Sequence, residues 1–121
     1  MLLGPAQLVG LGGALGAVCR HAVASRVPAG EYPLGTLAVN VLGSFLLALV
    51  TVAGADRATL LFVGTGACGA FTTFSSFSVE TARLWEDGAR LPAAGYAAGS
   101  LVAALAGVGA AYGLAALLGL A

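Results

Sequence analysis

In the stretch Phe71-Thr72-Thr73-Phe74-Ser75-Ser76-Phe77-Ser78, five of eight residues carry a hydroxyl and the other three are phenylalanine. Hydroxyl side chains compete for backbone hydrogen bonds, so their concentration inside apolar sequence is the composition expected where a helix unwinds. The alternative is an unbroken helix with each hydroxyl bonded back to the i−4 carbonyl, which suits one or two such residues better than five. Irregular backbone at membrane depth survives only when buried in protein or lining a polar cavity, and its freed carbonyls are ready ion ligands. Other polar residues within apolar sequence are few. Thr36, Asn40, Gly43 and Ser44 share one helical face, and Tyr96 and Ser100 lie one turn apart. Amide and hydroxyl hydrogens are neutral donors, and a track of them can replace the water around an anion without trapping it as a buried guanidinium would. For Asn40 the competing role is glue between helices. Phe74 and Phe77, also one turn apart, could turn the positive edges of their rings toward an anion or simply pack in a core.

The elements that must position these groups follow from composition. The chain has 121 residues, the size of one domain (1–121), with 60% apolar residues, 19 Gly and only 8% charged, against about 25% charged in a soluble domain. Ten ionised side chains cannot cover the surface of a water-soluble globule, so most of the surface must face lipid. The charges cancel to a formal zero, which excludes a basic field for nucleic acid. A helix needs about 20 apolar residues to cross the hydrocarbon core. The chain divides at its charges and prolines into four such spans, about residues 2–24, 34–52, 60–84 and 93–120. The loops between them, Ser25 to Pro33, Ala53 to Thr59 and Trp85 to Pro92, hold Pro, Gly and charged residues, with Tyr32 and Trp85 placed as interfacial aromatics. The fold expected is an all-α membrane protein whose third helix is broken near the bilayer midplane. The N-terminal MLLGPAQLVG lacks the basic region of a signal peptide, so the first span is expected to be retained.

Arg20, Arg26, Arg83 and Arg90 gather on the side of the first and third loops, while Arg57 is on the other. This bias is slight, and it leaves the orientation open to both senses. Gly12 with Gly16, Gly13 with Ala17, and Gly95, Gly99, Ala103 and Gly107 follow the small-x-x-x-small spacing of close helix contacts and point to an oligomer. Gly64-Thr65-Gly66-Ala67-Cys68-Gly69 after Leu60 to Val63 mimics a dinucleotide fingerprint, but it sits in a 20-residue apolar span with no strand and helix alternation. Cys19 and Cys68 read as small hydrophobes, and His21 as an interfacial residue. The residues hold no pairing of nucleophile with base, so an enzyme is not expected. A proton-coupled small multidrug-type exporter would need a membrane-embedded carboxylate, and Glu80, near the end of its span, is the one acid available.

Three segments, Gly12 to Arg20, Gly35 to Phe45 and Gly64 to Glu80, in this order and within four spans, resemble the CrcB/Fluc family of small fluoride channels from end to end. The resemblance implies an antiparallel, dual-topology homodimer enclosing two pores, passively exporting fluoride across the cytoplasmic membrane to relieve fluoride toxicity. In such a multi-pass plasma-membrane protein Phe74 and Phe77 would be the pore phenylalanines and Asn40 the pore asparagine. Ser75 and Ser76 would form the hydroxyl track, with Tyr96 and Ser100 the span-four pair. A structural sodium ion (Na+) would be held by the backbone carbonyls of Gly69 and Thr72. Arg20, Thr36 and Glu80 would be polar residues of the vestibule; Arg20 and Glu80 could pair, or stand as a snorkelling arginine and a solvated acid. Ser76 stands where the family often has Thr, and Ala70 where it often has Gly; neither change removes a donor. Some members pair as two distinct, oppositely oriented chains, so a heterodimer with a paralogous chain is the alternative assembly.

Overall fold

The computed structural model describes residues 3–28 and 30–120, and over them all regular structure is helical. Four segments are long and apolar enough to cross a membrane: Pro5–Arg26, Leu34–Val52, Arg57–Glu86 and Arg90–Leu117. The first two are the single helices α1 and α2. The third runs through α3 (Arg57–Thr59), a π-helix (Leu60–Cys68), α4 (Gly69–Phe71) and α5 (Phe74–Glu86). The fourth is α6 (Arg90–Leu117).

The ends of these helices have local causes. The start expected for the first span at Leu2 lies outside the described residues. Helix α1 begins at Pro5, whose fixed φ and missing N–H suit a first helical position, and the Gly4 N–H donates to Gln7 Oε1 at 2.6 Å. The third span starts at Arg57 rather than residue 60, because Asp56 caps it by accepting from the Thr59 N–H at 2.8 Å. The fourth starts at Arg90 rather than residue 93: Pro92 falls in the first turn, where a helix tolerates it, and so does not mark the end of the loop. The second, third and fourth spans close on Gly54, Gly88 and Gly119, with φ of 67°, 83° and 68°. In each case the residue after the glycine donates back across the last turn, as Ala55 does to Val50 at 3.2 Å.

Packing is pairwise. Helix α1 lies along the first half of the third span, and α2 along α6. Where α1 meets the π-helix, backbones touch: a Cβ at Gly12 would lie 2.0 Å from the Phe62 carbonyl oxygen, and one at Gly16 would lie 2.1 Å from that of Ala67. The small-residue stripe of α6 is divided within this chain. Gly107 packs on the Val41 carbonyl, but Gly95 and Gly99 face open space on this chain. Buried apolar residues among those described are small or few: Val39, Cys68, Ala93, Tyr96, Ala111 and Ala115. Large ones such as Leu11, Leu15 and Val18 on α1 and Leu101, Val102 and Leu105 on α6 are exposed. A chain with so little core and so much outward leucine is a multi-pass membrane protein, with hydrocarbon covering what water would not.

Candidate functional site

The third span changes character at Thr72 (φ −82°, ψ 161°) and Thr73 (φ −149°, ψ 116°), which are both extended. The hydroxyl cluster divides its work around this point. Thr72 Oγ1 donates to the Cys68 carbonyl at 3.0 Å and Ser78 Oγ to that of Phe74 at 2.9 Å, the back-bonded arrangement of an ordinary helix. Thr73 instead caps α5: its Oγ1 accepts from the Ser76 N–H at 3.2 Å and donates to Ser76 Oγ at 3.1 Å. Ser75 Oγ lies 3.3 Å from the same hydroxyl.

Helix α2 grips this region with one face. Asn40 Oδ1 accepts from the Thr73 N–H at 2.7 Å, while its Nδ2 donates to the Thr73 carbonyl at 3.0 Å. One side chain thus satisfies both polar groups of an extended residue. One turn on, Gly43 leaves the space that Thr72 fills; a Cβ there would stand 2.3 Å from Thr72 Cγ2. One turn back, Thr36 Oγ1 donates to Glu80 Oε1 at 2.8 Å, and Tyr96 of α6 donates to Glu80 Oε2 at 3.0 Å. Glu80 therefore joins spans two, three and four through neutral hydroxyls. It does not pair with Arg20, whose Nη1 faces the Thr72 carbonyl at 3.4 Å. The sequence left Glu80 open between a pair with Arg20 and a solvated acid, and within this chain it is neither. The better signal was the pair of hydroxyls, Thr36 and Tyr96, each near the start of its own span on the same side as Glu80.

The aromatic residues form a short file: Phe74 and Phe77 have ring centroids 5.8 Å apart, and Phe77 and Tyr96 5.5 Å apart, all tilted rather than stacked flat. Phe74 is 79% exposed, so within this chain it is no core residue. Ser100 lies buried beyond Tyr96, and its Oγ has no partner among the described residues. Ser75 is exposed and Ser76 half-buried. A cavity of about 340 Å³ is bounded by Asn40, Gly43, Gly69, Thr72, Thr73 and Phe74 among others, and one of about 380 Å³ opens at Thr36, Glu80 and Arg83. The structure thus brings Asn40, Thr72, Thr73, Phe74 and Gly69 around one cavity and Thr36, Glu80, Tyr96 and Phe77 into one contact group. Thr73, assigned no individual role from sequence, is the node of the first set. The Gly64 to Gly69 run, meanwhile, is helical, with no strand before it; Gly66 packs on α1, Gly64 meets Leu47 of α2, and Gly69 faces open space.

Residues 7–114 match the family model described as "CrcB-like protein, Camphor Resistance (CrcB)". The chain is 58% identical over 109 residues to "Fluoride-specific ion channel FluC 2" of Haloarcula marismortui, covering 90% of this chain and 92% of that protein. It is 57% identical over 100 residues to "Fluoride-specific ion channel FluC 1" of Halobacterium salinarum (83% of this chain, 84% of that one). It is 46% identical over 105 residues to "Fluoride-specific ion channel FluC" of Mesorhizobium japonicum (81% and 85%).

Proposed function

The chain belongs to the CrcB-like family, and on that premise we propose that it is a fluoride-selective channel of the plasma membrane, exporting fluoride passively and so relieving its toxicity. The observation that carries this reading is the polar lining of the chain, which is built almost entirely from neutral groups beside the Phe74 and Phe77 rings. Ser75 and Ser76, with the Phe74 and Phe77 rings, offer an anion O–H and aromatic partners, while Asn40 lines the same region with its amide on Thr73; the Tyr96 hydrogen is held by Glu80, and it and the buried Ser100 would join the path once that bond opens. Fluoride is small and strongly hydrated, so it needs several such donors at once, and none of these binds it so tightly that it cannot leave. The one carboxylate of the region, Glu80, already receives a hydroxyl on each oxygen, so it is taken up in joining three spans rather than left open to a cationic substrate. That arrangement disfavours the multidrug-type exporter.

A second chain completes the pathway in this proposal. Phe74, Ser75, Gly95 and Gly99 lie on the outside of the single chain, and hydroxyls facing lipid are costly. An antiparallel copy, allowed by the weak charge bias, would cover these faces and give two pores, each lined by both chains; a paralogous chain of opposite orientation would serve equally. The break at Thr72 and Thr73 then falls near the midplane.

The carbonyls of Gly69 and Thr72 fit a hard monovalent cation such as Na+. In an unbroken helix they would accept from Thr73 N and Ser76 N, but those donors are diverted to Asn40 Oδ1 and Thr73 Oγ1. The Gly69 oxygen is thereby freed, whereas that of Thr72 accepts from Arg20 Nη1 at 3.4 Å and joins such a site once that guanidinium moves aside; free, neutral oxygens are the donor set such an ion takes. Two carbonyls are too few alone, and a second chain would double them. When bound, the ion would supply fixed positive potential without an ionisable side chain in the path. The test of the proposal is anion efflux from liposomes holding the purified protein with no pH gradient. Rapid fluoride loss with chloride retained supports the channel; fluoride retention by folded protein overturns it for the homo-oligomer.

A further inference from the structure

We propose that Asn40 is a positioning residue, which acts on the ion path through the backbone of Thr73; the inference rests on the channel reading above. Its two hydrogen bonds run to the N–H and C=O of one and the same residue. Two residues that exchange both bonds in this way are the unit of an antiparallel strand pair. Here a side-chain amide takes the place of the neighbouring strand. The pairing requires both groups of Thr73 to point the same way, which its extended dihedrals provide and helical ones do not, since along a helix N–H and C=O point in opposite directions. Asn40 therefore selects the extended form.

The alternative conformation is equally concrete. Without Asn40, the Thr73 N–H loses its acceptor in the extended form and the Gly69 carbonyl competes for it, so residues 72 and 73 pass between an extended form whose N–H is open to exchange and a closed helix in which the freed carbonyl disappears. Phe74 and Phe77, downstream, would turn with it. Gly43 biases the same choice sterically, because only a residue without a Cβ leaves the volume in which the Thr72 methyl sits. Out of water, both bonds are stronger than they would be in solvent, and an unpaired peptide group is costlier.

Two measurements on the full-length protein in liposomes separate this role from direct ion contact. The first is amide exchange at Thr73 in the parent and in Asn40→Leu, where loss of the bond should speed exchange roughly tenfold. The second replaces the Thr73 backbone amide by an ester, which removes the N–H while Asn40 stays in place; fluoride efflux should fall sharply. If Asn40→Leu abolishes efflux with Thr73 exchange unchanged, or if the ester protein conducts like the parent, the positioning role is overturned and Asn40 acts on the ion directly. Should Asn40→Leu fail to fold, the ester protein decides alone. A parent that passes no fluoride would sink the channel reading, and the Thr73 exchange rate would still accept or reject the clamp.

Discussion

The two halves of the third span are held by opposite means. Before Thr72, the π-helix and α4 lie on α1 through missing side chains: Gly12, Gly16 and Gly66 bring backbones to distances no Cβ would permit. After Thr73, α5 is held by side chains that reach across, namely Thr36 and Tyr96 to Glu80, with Asn40 at the junction. The first half is a platform whose precision comes from van der Waals contact and which offers little chemistry. The second is a polar face that keeps its hydroxyls and rings available, at the price of a looser hold. A small membrane protein can thus separate rigidity from reactivity within one helix.

The contrast is open to attack at several points. The largest effect should come from the platform: Gly16→Val drives a side chain into the Ala67 carbonyl and should cost about 3 kcal/mol or more, read as loss of folded protein in a thermal melt. Phe74→Ile should do the reverse. Because the ring is largely exposed on the chain, the fold and melting temperature should hold while fluoride efflux collapses; unchanged efflux in both Phe74→Ile and Phe77→Ile would remove the ring edges from the pathway. Thr36→Val removes one of the two hydroxyls on Glu80 and should lower stability by about 1 kcal/mol, measured by equilibrium unfolding in detergent. Its efflux should change more than its stability, if the polar face is where function lies. The smallest effect belongs to Asp56, outside both halves. Its carboxyl is held below its usual value of 3.8 by the hydrogen bonds it accepts from Thr59. A depressed pKa means the cap is fully present above that value and is lost as pH falls through the lower folded one. Asp56→Ala should therefore abolish a slight acid sensitivity of the third span's first turn, seen in amide exchange at Thr59, and leave efflux alone.

Much of the architecture was legible in the sequence because lipid imposes a simple rule: the four spans follow from apolar length. Their ends were less so. Pro92 reads as loop from composition, yet a proline in a first helical turn removes no hydrogen bond, and α6 starts before it. The π-helix left no trace in residue types, since its hydrogen-bond register depends on how α1 packs and not on propensity. At the site, the hydroxyl cluster marked the stretch Phe71 to Ser78, within which the backbone turns extended at Thr72 and Thr73, but not which hydroxyl does what. Asn40 posed the harder problem. An amide that faces an ion and one that faces a peptide are the same residue at the same helical position, and only the extended backbone opposite it separates the two. Glu80 was left open for a similar reason. Charge and position offered Arg20 or water as its partner, whereas in a medium of low dielectric two hydroxyls can satisfy a carboxylate without burying a second charge.

The π-helix also sets a constraint of another kind, on chain length rather than on residue identity. Each residue of an α-helix advances the chain by about 100° around its axis. Losing one residue between Leu60 and Cys68 would rewind the segment and swing everything beyond it, Phe74 and Phe77 included, by about that angle relative to α1. Across descendants of this gene, substitutions should accumulate along the outer side of that segment while insertions and deletions are purged, so its length is inherited more strictly than its letters.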